Sequence, residues 1–155
     1  MAGSNERPRR RRVAPDDAVG PFYIPSISQQ RTEGARILKD GDTFAVFDAW
    51  GDMQASGPAA EGLFHEDMRY LSSLALLFEG ERPLLLSSRV TGDNGMLAID
   101  LANPDLFRRD RIVLARDTVH ILRCIVLDEG ACFECLEIKS FAEHPVAFTL
   151  NYRFD

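Results

Sequence analysis

The chain lacks any apolar run close to the roughly 20 residues that a bilayer-spanning helix needs. Its longest, Leu74 to Phe78 and Pro83 to Leu86, are split by Glu79, Gly80, Glu81 and Arg82, which excludes a helical membrane anchor. Cysteine is scarce too. Three residues, Cys124, Cys132 and Cys135, cannot all pair with one another, whereas a secreted disulfide scaffold shows an even set. Free thiols and a cytoplasmic location are the expectation. Cys132-Phe133-Glu134-Cys135 has C-x-x-C spacing, but no second such pair exists and His65, His120 and His144 are scattered. A zinc site of four ligands is therefore not assembled. On a strand, residues three apart face opposite sides of the sheet, and the βαβ context of a redox pair is missing. The thiols read as small apolar or sheet-face residues.

Catalytic signatures are also missing. There is no G-x-S-x-G elbow, P-loop, H-E-x-x-H or dinucleotide fingerprint. Gly92-Asp93-Asn94-Gly95 precedes a strand-like run instead of the helix N-terminus that a phosphate cradle requires. No cofactor and no metal are expected.

Positive charge is confined to one end. Residues 1–34 hold six Arg against four acidic residues, and the remainder twelve basic against twenty acidic, so a slightly basic arm precedes an acidic body. Only Arg7 to Arg12, RPRRRR, offers a basic footprint, too little for specific nucleic-acid recognition by a folded surface. The following VAPDDAVGPFYIPS contains two Asp and three Pro where an export signal would have an apolar core. This leader is rich in Gly, Ser, Pro, Gln and Arg, and is expected to be a disordered arm over 1–34, dispensable for stability. Phe22, Tyr23 and Ile24 are its one apolar patch.

From Ala35 onward the chain is a ladder of short strand-like runs separated by acidic-glycine turns, and a hydrophobic content of 45% suffices for one core. ARILK and TFAVFD flank Asp40-Gly41, a pair suited to tight hairpins. Tyr70–Phe78 and Pro83–Val90 flank Glu79-Gly80-Glu81. Val90 and Met96 bracket Thr91 to Gly95. Asp117–Leu127 and Ala131–Ser140 flank Asp128-Glu129-Gly130, with Gly130 suited to the left-handed position of a three-residue loop. In the last run Val146, Phe148, Leu150, Tyr152 and Phe154 alternate with polar or small residues, predicting one buried face. The only helix-like candidates are short turns around Gln54 to Glu61 and Pro104 to Arg109. Hairpins without βα alternation predict an all-β fold, an antiparallel sandwich or barrel.

The densest polar cluster is His65-Glu66-Asp67-Met68-Arg69-Tyr70, placed at a strand entrance. Glu66 and Asp67 have the chemistry of a glycosidase carboxylate pair, which must flank the scissile bond roughly 5 to 9.5 Å apart. As neighbours on an extended chain they would point to opposite faces. The alternatives are a local Asp67–Arg69 ion pair that turns the chain into the sheet, and a loop that touches another domain or a glucan. Trp50, the single tryptophan, joins Phe64 and Tyr70 as a possible sugar-stacking set, or packs on a turn.

Several of these segments carry a family pattern. EGLFHEDMRYLSSLALLFEGERPLLLSS, DNGMLAIDLANPD and the final YRFD together resemble the N-terminal domain of bacterial glycogen debranching enzymes of the amylo-α-1,6-glucosidase type, from about Ile37 to the last residue. The matching motif is Asp67, Arg69, Tyr70, Leu71 and Ser72; His65 and Glu66 stand where the family commonly has an aromatic and a basic residue. The resemblance implies a large two-sheet antiparallel β-sandwich over 35–155. It further implies a non-catalytic domain, incomplete at its C-terminus, whose partner is a helical toroid catalytic domain in cis or in trans. Its role would be to shape α-glucan access, with His65, Asp67, Arg69, Tyr70 and Trp50 as candidate domain-interface or glucan-contacting residues. The alternative is an independent carbohydrate-binding sandwich. An uncovered final strand would also favour self-association.

Overall fold

The computed structural model describes residues 34–55 and 60–155. The arm expected over 1–34 thus lies outside the described residues except for Gly34. The described chain is an all-β sandwich. Four strands, β1 (Arg36–Asp40), β2 (Thr43–Phe47), β3 (Gly62–His65) and β4 (Met68–Leu71), form one sheet in sequence order. A second sheet has the order β11-β10-β7-β6, from β6 (Leu84–Val90), β7 (Met96–Ala102), β10 (Val119–Asp128) and β11 (Ala131–Ser140). Two small sheets complete it: β5 (Leu74–Phe78) with β12 (Leu150–Phe154), and β8 (Leu106–Arg108) with β9 (Arg111–Leu114). All pairings are antiparallel. Among the described residues no helix is long and apolar enough to cross a membrane.

The core follows from period-two alternation. In β10 every second residue, Val119, Ile121, Arg123, Ile125 and Leu127, is buried, and in β2 Thr43, Ala45 and Phe47 are. Leu38, Phe47, Met53, Leu76, Phe78, Leu97, Ile99 and Leu101 pack with them into one cluster contributed by both large sheets and β5. Val146, Phe148 and Leu150 pack against it, as the alternation of the last run predicts, but Tyr152 and Phe154 remain substantially exposed.

Three expected hairpins are present: β1–β2, β6–β7 and β10–β11. The β10–β11 turn is tighter than expected, since Asp128 pairs with Ala131 and both Glu129 and Gly130 have positive φ, 48° and 77°. That is the signature of a two-residue hairpin turn of the primed type, not a three-residue loop. The fourth expected hairpin is not formed. Phe78 and Glu81 close the Glu79-Gly80 turn through reciprocal backbone bonds of 2.8 and 3.0 Å. Beyond it the strands part: β5 pairs with β12, and β6 with β7. Pro83, with no N–H to give, cannot extend the ladder past the turn.

Sequence alternation also overlooks β3, β8 and β9. Pro104 to Arg109, read as helix-like, instead contains β8; the other helix-like segment, Gln54 to Glu61, lies partly outside the described residues. The β8–β9 excursion is pinned at its neck by buried Asn103. Its amide Nδ2 donates to the Pro104 and Ala115 carbonyls, each at 2.8 Å, and its Oδ1 accepts from the Val119 N–H at 2.7 Å.

Truncating the core aromatics sets the scale of this packing. Phe47→Ala and Phe78→Ala should each lower the unfolding free energy by about 3–5 kcal/mol in urea denaturation. Phe107→Ala, on the outlying hairpin and 60% exposed, should change it by about 0.5 kcal/mol or less.

Candidate functional site

The polar cluster singled out in the sequence is a hairpin. His65 pairs with Met68, and Glu66 and Asp67 are the two turn residues between them, with φ of 46° and 63°. They are therefore not neighbours on an extended strand. Both carboxylates are exposed, and with Lys39, Gly41, Asp42 and Phe44 they line an open cleft of about 230 Å³ between this turn and the β1–β2 turn. Asp67 and Arg69 do not form the expected local ion pair. Arg69 instead donates to two backbone carbonyls, those of Glu61 and, at 3.1 Å, Ser72. Its guanidinium carbon lies 5.8 Å from the centre of the Phe64 ring. Gly62 makes room for this, because a Cβ there would meet Arg69 Nε at 2.6 Å and the Leu71 carbonyl at 2.7 Å.

The aromatics divide between two places. Phe64 stacks on Phe44 at 4.6 Å, and His65 Nδ1 hydrogen-bonds with the Thr43 hydroxyl at 2.8 Å. Leu63 pairs with Leu71 and Phe64 with Arg69, so Tyr70 is the extra residue of a β-bulge on an edge strand and is 63% exposed. Bulges of this kind re-aim side chains. Trp50 is elsewhere. Its indole N–H donates to the Pro83 carbonyl at 2.9 Å, and Arg82 covers the ring at 4.2 Å. The structure thus brings His65, Asp67, Arg69 and Tyr70 together on one hairpin and gives Trp50 to a different assembly.

That second assembly is a buried charge network, and sequence reasoning missed it. Arg123 is fully buried on the inward face of β10. It donates to Asp52 Oδ1 at 2.7 Å and to the Trp50 carbonyl at 2.9 Å. Its other side makes a two-pronged contact with Glu134 at 2.9 and 3.2 Å. Asp52 also accepts from the Leu76 N–H at 3.1 Å and from Arg82 Nε at 3.1 Å. Arg82 reaches Asp48 as well, whose carboxylate caps its own loop by accepting from the N–H groups of Trp50 and Asp52. The signal was present as a charged residue at an inward position of the alternating run Val119 to Leu127, where a buried charge demands a partner.

The titrations follow from this geometry. Burial works against the Arg123 cation, but Glu134 and Asp52 more than offset it and hold the guanidinium above its ordinary value. Burial pushes the Asp52 carboxyl up, against the pull of Arg123 and Arg82. Glu61, buried and accepting from the Gln54 N–H at 2.7 Å, is likewise raised by burial. The Tyr152 hydroxyl donates to Glu134. Its ionisation is pushed well up, first by burial and then by the hydrogen bond to that carboxylate and its charge.

Gly51 lets the loop lie flat on this network. Its φ is +77°, and a Cβ would meet Ile99 Cδ1 at 2.7 Å and Arg123 Cζ at 3.4 Å.

The C-x-x-C residues face opposite ways, as strand geometry requires. Cys132 lies opposite buried Leu127 and packs on the core, while Cys135 is exposed.

Two measurements test the network. Arg123→Ala leaves Asp52 and Glu134 without their buried cation and should cost about 3–5 kcal/mol in urea denaturation. Arg82→Ala should cost less, because its side chain is one-third exposed. For Tyr152 the folded value lies above the unfolded one. Its contribution is therefore fully present below the ordinary tyrosine value of about 10 and is lost as pH rises through that value toward the folded one. The stability difference between the native protein and Tyr152→Phe should accordingly be constant from pH 7 to 9 and shrink by pH 11.

A family model described as the N-terminal domain of (some) glycogen debranching enzymes matches residues 38–155. Neither a curated protein nor a solved structure matches the chain. The family match takes in the hairpin of Asp67, Arg69 and Tyr70 together with every member of the buried network, and the chain belongs to the family of N-terminal domains of glycogen debranching enzymes.

Proposed function

We propose that this chain is the non-catalytic domain of an α-glucan-debranching glycoside hydrolase that works in the cytoplasm. In this reading it packs against a helical toroid catalytic domain, in cis or in trans, and shapes the approach of the glucan. The observation that carries the reading is a set of apolar side chains on inward faces that the other described residues cover only in part. Ile138 lies opposite fully buried Ile121, and Tyr152 opposite buried Leu76, yet they are 47% and 44% exposed; Phe154, opposite Leu74, is 70% exposed. Directly opposed residues share a sheet face. These three therefore lie on the inward faces of their strands. Covering a whole side chain of this size is worth about 1.5–3 kcal/mol, so a partner seated there gains several kcal/mol.

In this reading contact with the toroid or with the glucan falls to exposed Asp67 and Tyr70 on the hairpin, with His65 and Arg69 holding it in place and Trp50 supporting the fold beneath Arg82. The two turn carboxylates sit at the rim of an open cleft, not across an enclosed site that would hold a glycosidic bond between them. Pure protein should therefore release no glucose from glycogen or limit dextrin above background. Glucose release abolished by Glu66→Gln or Asp67→Asn would overturn the non-catalytic assignment.

Docking is tested by calorimetric titration against a separately expressed toroid domain of a glycogen debranching enzyme. Ile138→Asp and Phe154→Asp should each weaken binding at least about tenfold, equivalent to about 1.4 kcal/mol. Unchanged affinity in both variants would sink the docking face. Without the toroid, the same face should drive concentration-dependent self-association in light scattering, reduced by the same substitutions. The rival reading, an autonomous sugar-binding module, requires the chain alone to co-sediment with glycogen and to lose this in Tyr70→Ala.

A further inference from the structure

The two cysteines that share a face are not the C-x-x-C pair. Cys124 of β10 lies directly opposite Cys135 of β11. Their sequence neighbours Arg123 and Leu136, also an opposed pair, point into the sandwich, so both thiols stand on the outer face of the sheet. Cys135 is exposed and Cys124 half-buried, so a small reagent reaches the first directly. Cys132 is excluded from this pairing because it faces the core.

Directly opposed residues of an antiparallel pair have Cβ atoms about 4.5–5.5 Å apart. A disulfide needs them about 3.5–4.5 Å apart, so closing one asks for an approach of about 1 Å. The strand that carries Cys135 can supply it. Among the described residues β11 is the outer strand of its sheet and its backbone pairs with β10 alone. A bridge closed with this residual strain is readily reducible, which favours a reversible site over a permanent crosslink.

We propose that Cys124 and Cys135 form a cross-strand dithiol site that exchanges with low-molecular-weight disulfides such as oxidised glutathione. In the first step the Cys135 thiolate attacks one sulfur of the oxidant. A mixed disulfide forms on Cys135, the S–S bond of the oxidant breaks, and one glutathione thiolate leaves. In the second the Cys124 thiolate attacks the Cys135 sulfur and expels the second glutathione. Two protein thiols are oxidised to one disulfide, one small disulfide is reduced to two thiols, and the protons from Cys124 and Cys135 end on the released glutathiones. Burial, then the neighbouring Cys135, Asp100 and Glu137, outweigh the opposing charge of Arg89 and hold the Cys124 thiol above its ordinary value. The second step is accordingly the slower one near neutral pH and accelerates as pH rises.

The full chain is incubated with excess oxidised glutathione at pH 8, quenched in acid, and examined by intact mass, thiol titration in denaturant and peptide mapping. The native protein should lose two of its three thiols, retain no glutathione, and show a peptide link between Cys124 and Cys135 that reduced glutathione reopens. Cys124→Ser should stop at a glutathione adduct on Cys135, and Cys132→Ser should react like the native protein. A persistent adduct on native Cys135, a link through Cys132, a disulfide-joined dimer, or three thiols left unreacted would each overturn the proposal. Circular dichroism of each variant confirms that a changed outcome is not unfolding.

Discussion

The sandwich depends on one buried cation. Arg123 cannot be taken out of water without full compensation, because the effective penalty for a desolvated charge is several kcal/mol. Its partners come from two distant parts of the chain: Asp52 and the Trp50 carbonyl from the loop after β2, and Glu134 from β11. Those partners are fixed in turn. Asp52 accepts from the Leu76 N–H of β5, and Glu134 from the Tyr152 hydroxyl of β12. One guanidinium therefore sets the placement of strands that share no backbone ladder with β10. Apolar packing supplies more of the stability, but it is non-directional. The charge network is directional, and every buried polar side-chain atom among the described residues has a hydrogen-bond partner.

The same constraint explains why the motif that looks most chemical is structural at its root. Arg69 is spent on backbone carbonyls of Glu61 and Ser72 and on the Phe64 ring, which fixes how β4 leaves the hairpin. Through Glu61, whose carboxylate accepts from Gln54, whose side chain in turn donates to Asp48, this edge is joined to the Arg123 network. Among the described residues Tyr70 on its bulge and the carboxylates of the turn stay exposed, and Ile138, Tyr152 and Phe154 face inward yet are only partly covered.

Legibility in the sequence tracked the range of the interaction. Hairpins closed by a Gly-containing turn, such as Gly41-Asp42 or Glu129-Gly130, could be read locally because a positive φ costs glycine little. The Glu66-Asp67 and Arg109-Asp110 turns adopt the same positive φ without glycine, so β3–β4 and β8–β9 carried no such mark. Glu79-Gly80 did carry it and misled, because a turn reverses the chain without choosing which strand it will lie beside. β5 found β12, more than seventy residues away, through Leu150 opposite Phe78. The faces of Cys132 and Cys135 were readable from period two alone, whereas the opposition of Cys124 and Cys135 needed the register of β10 on β11.

By itself the sequence determined the all-β class, the period-two core of β2 and β10, the local turns and the family pattern, because each is written in residues close together along the chain or in a composition that needs no partner. Only the tertiary structure decided the β5–β12 pairing, the separation of Trp50 from the Asp67–Tyr70 hairpin, and the carboxylates that enclose Arg123. Those outcomes rest on contacts between distant segments, whose loop-closure cost is repaid only when several form at once. The inward charge at position 123 announced that a partner must exist; which residues would supply it was settled by the packing of the sheets.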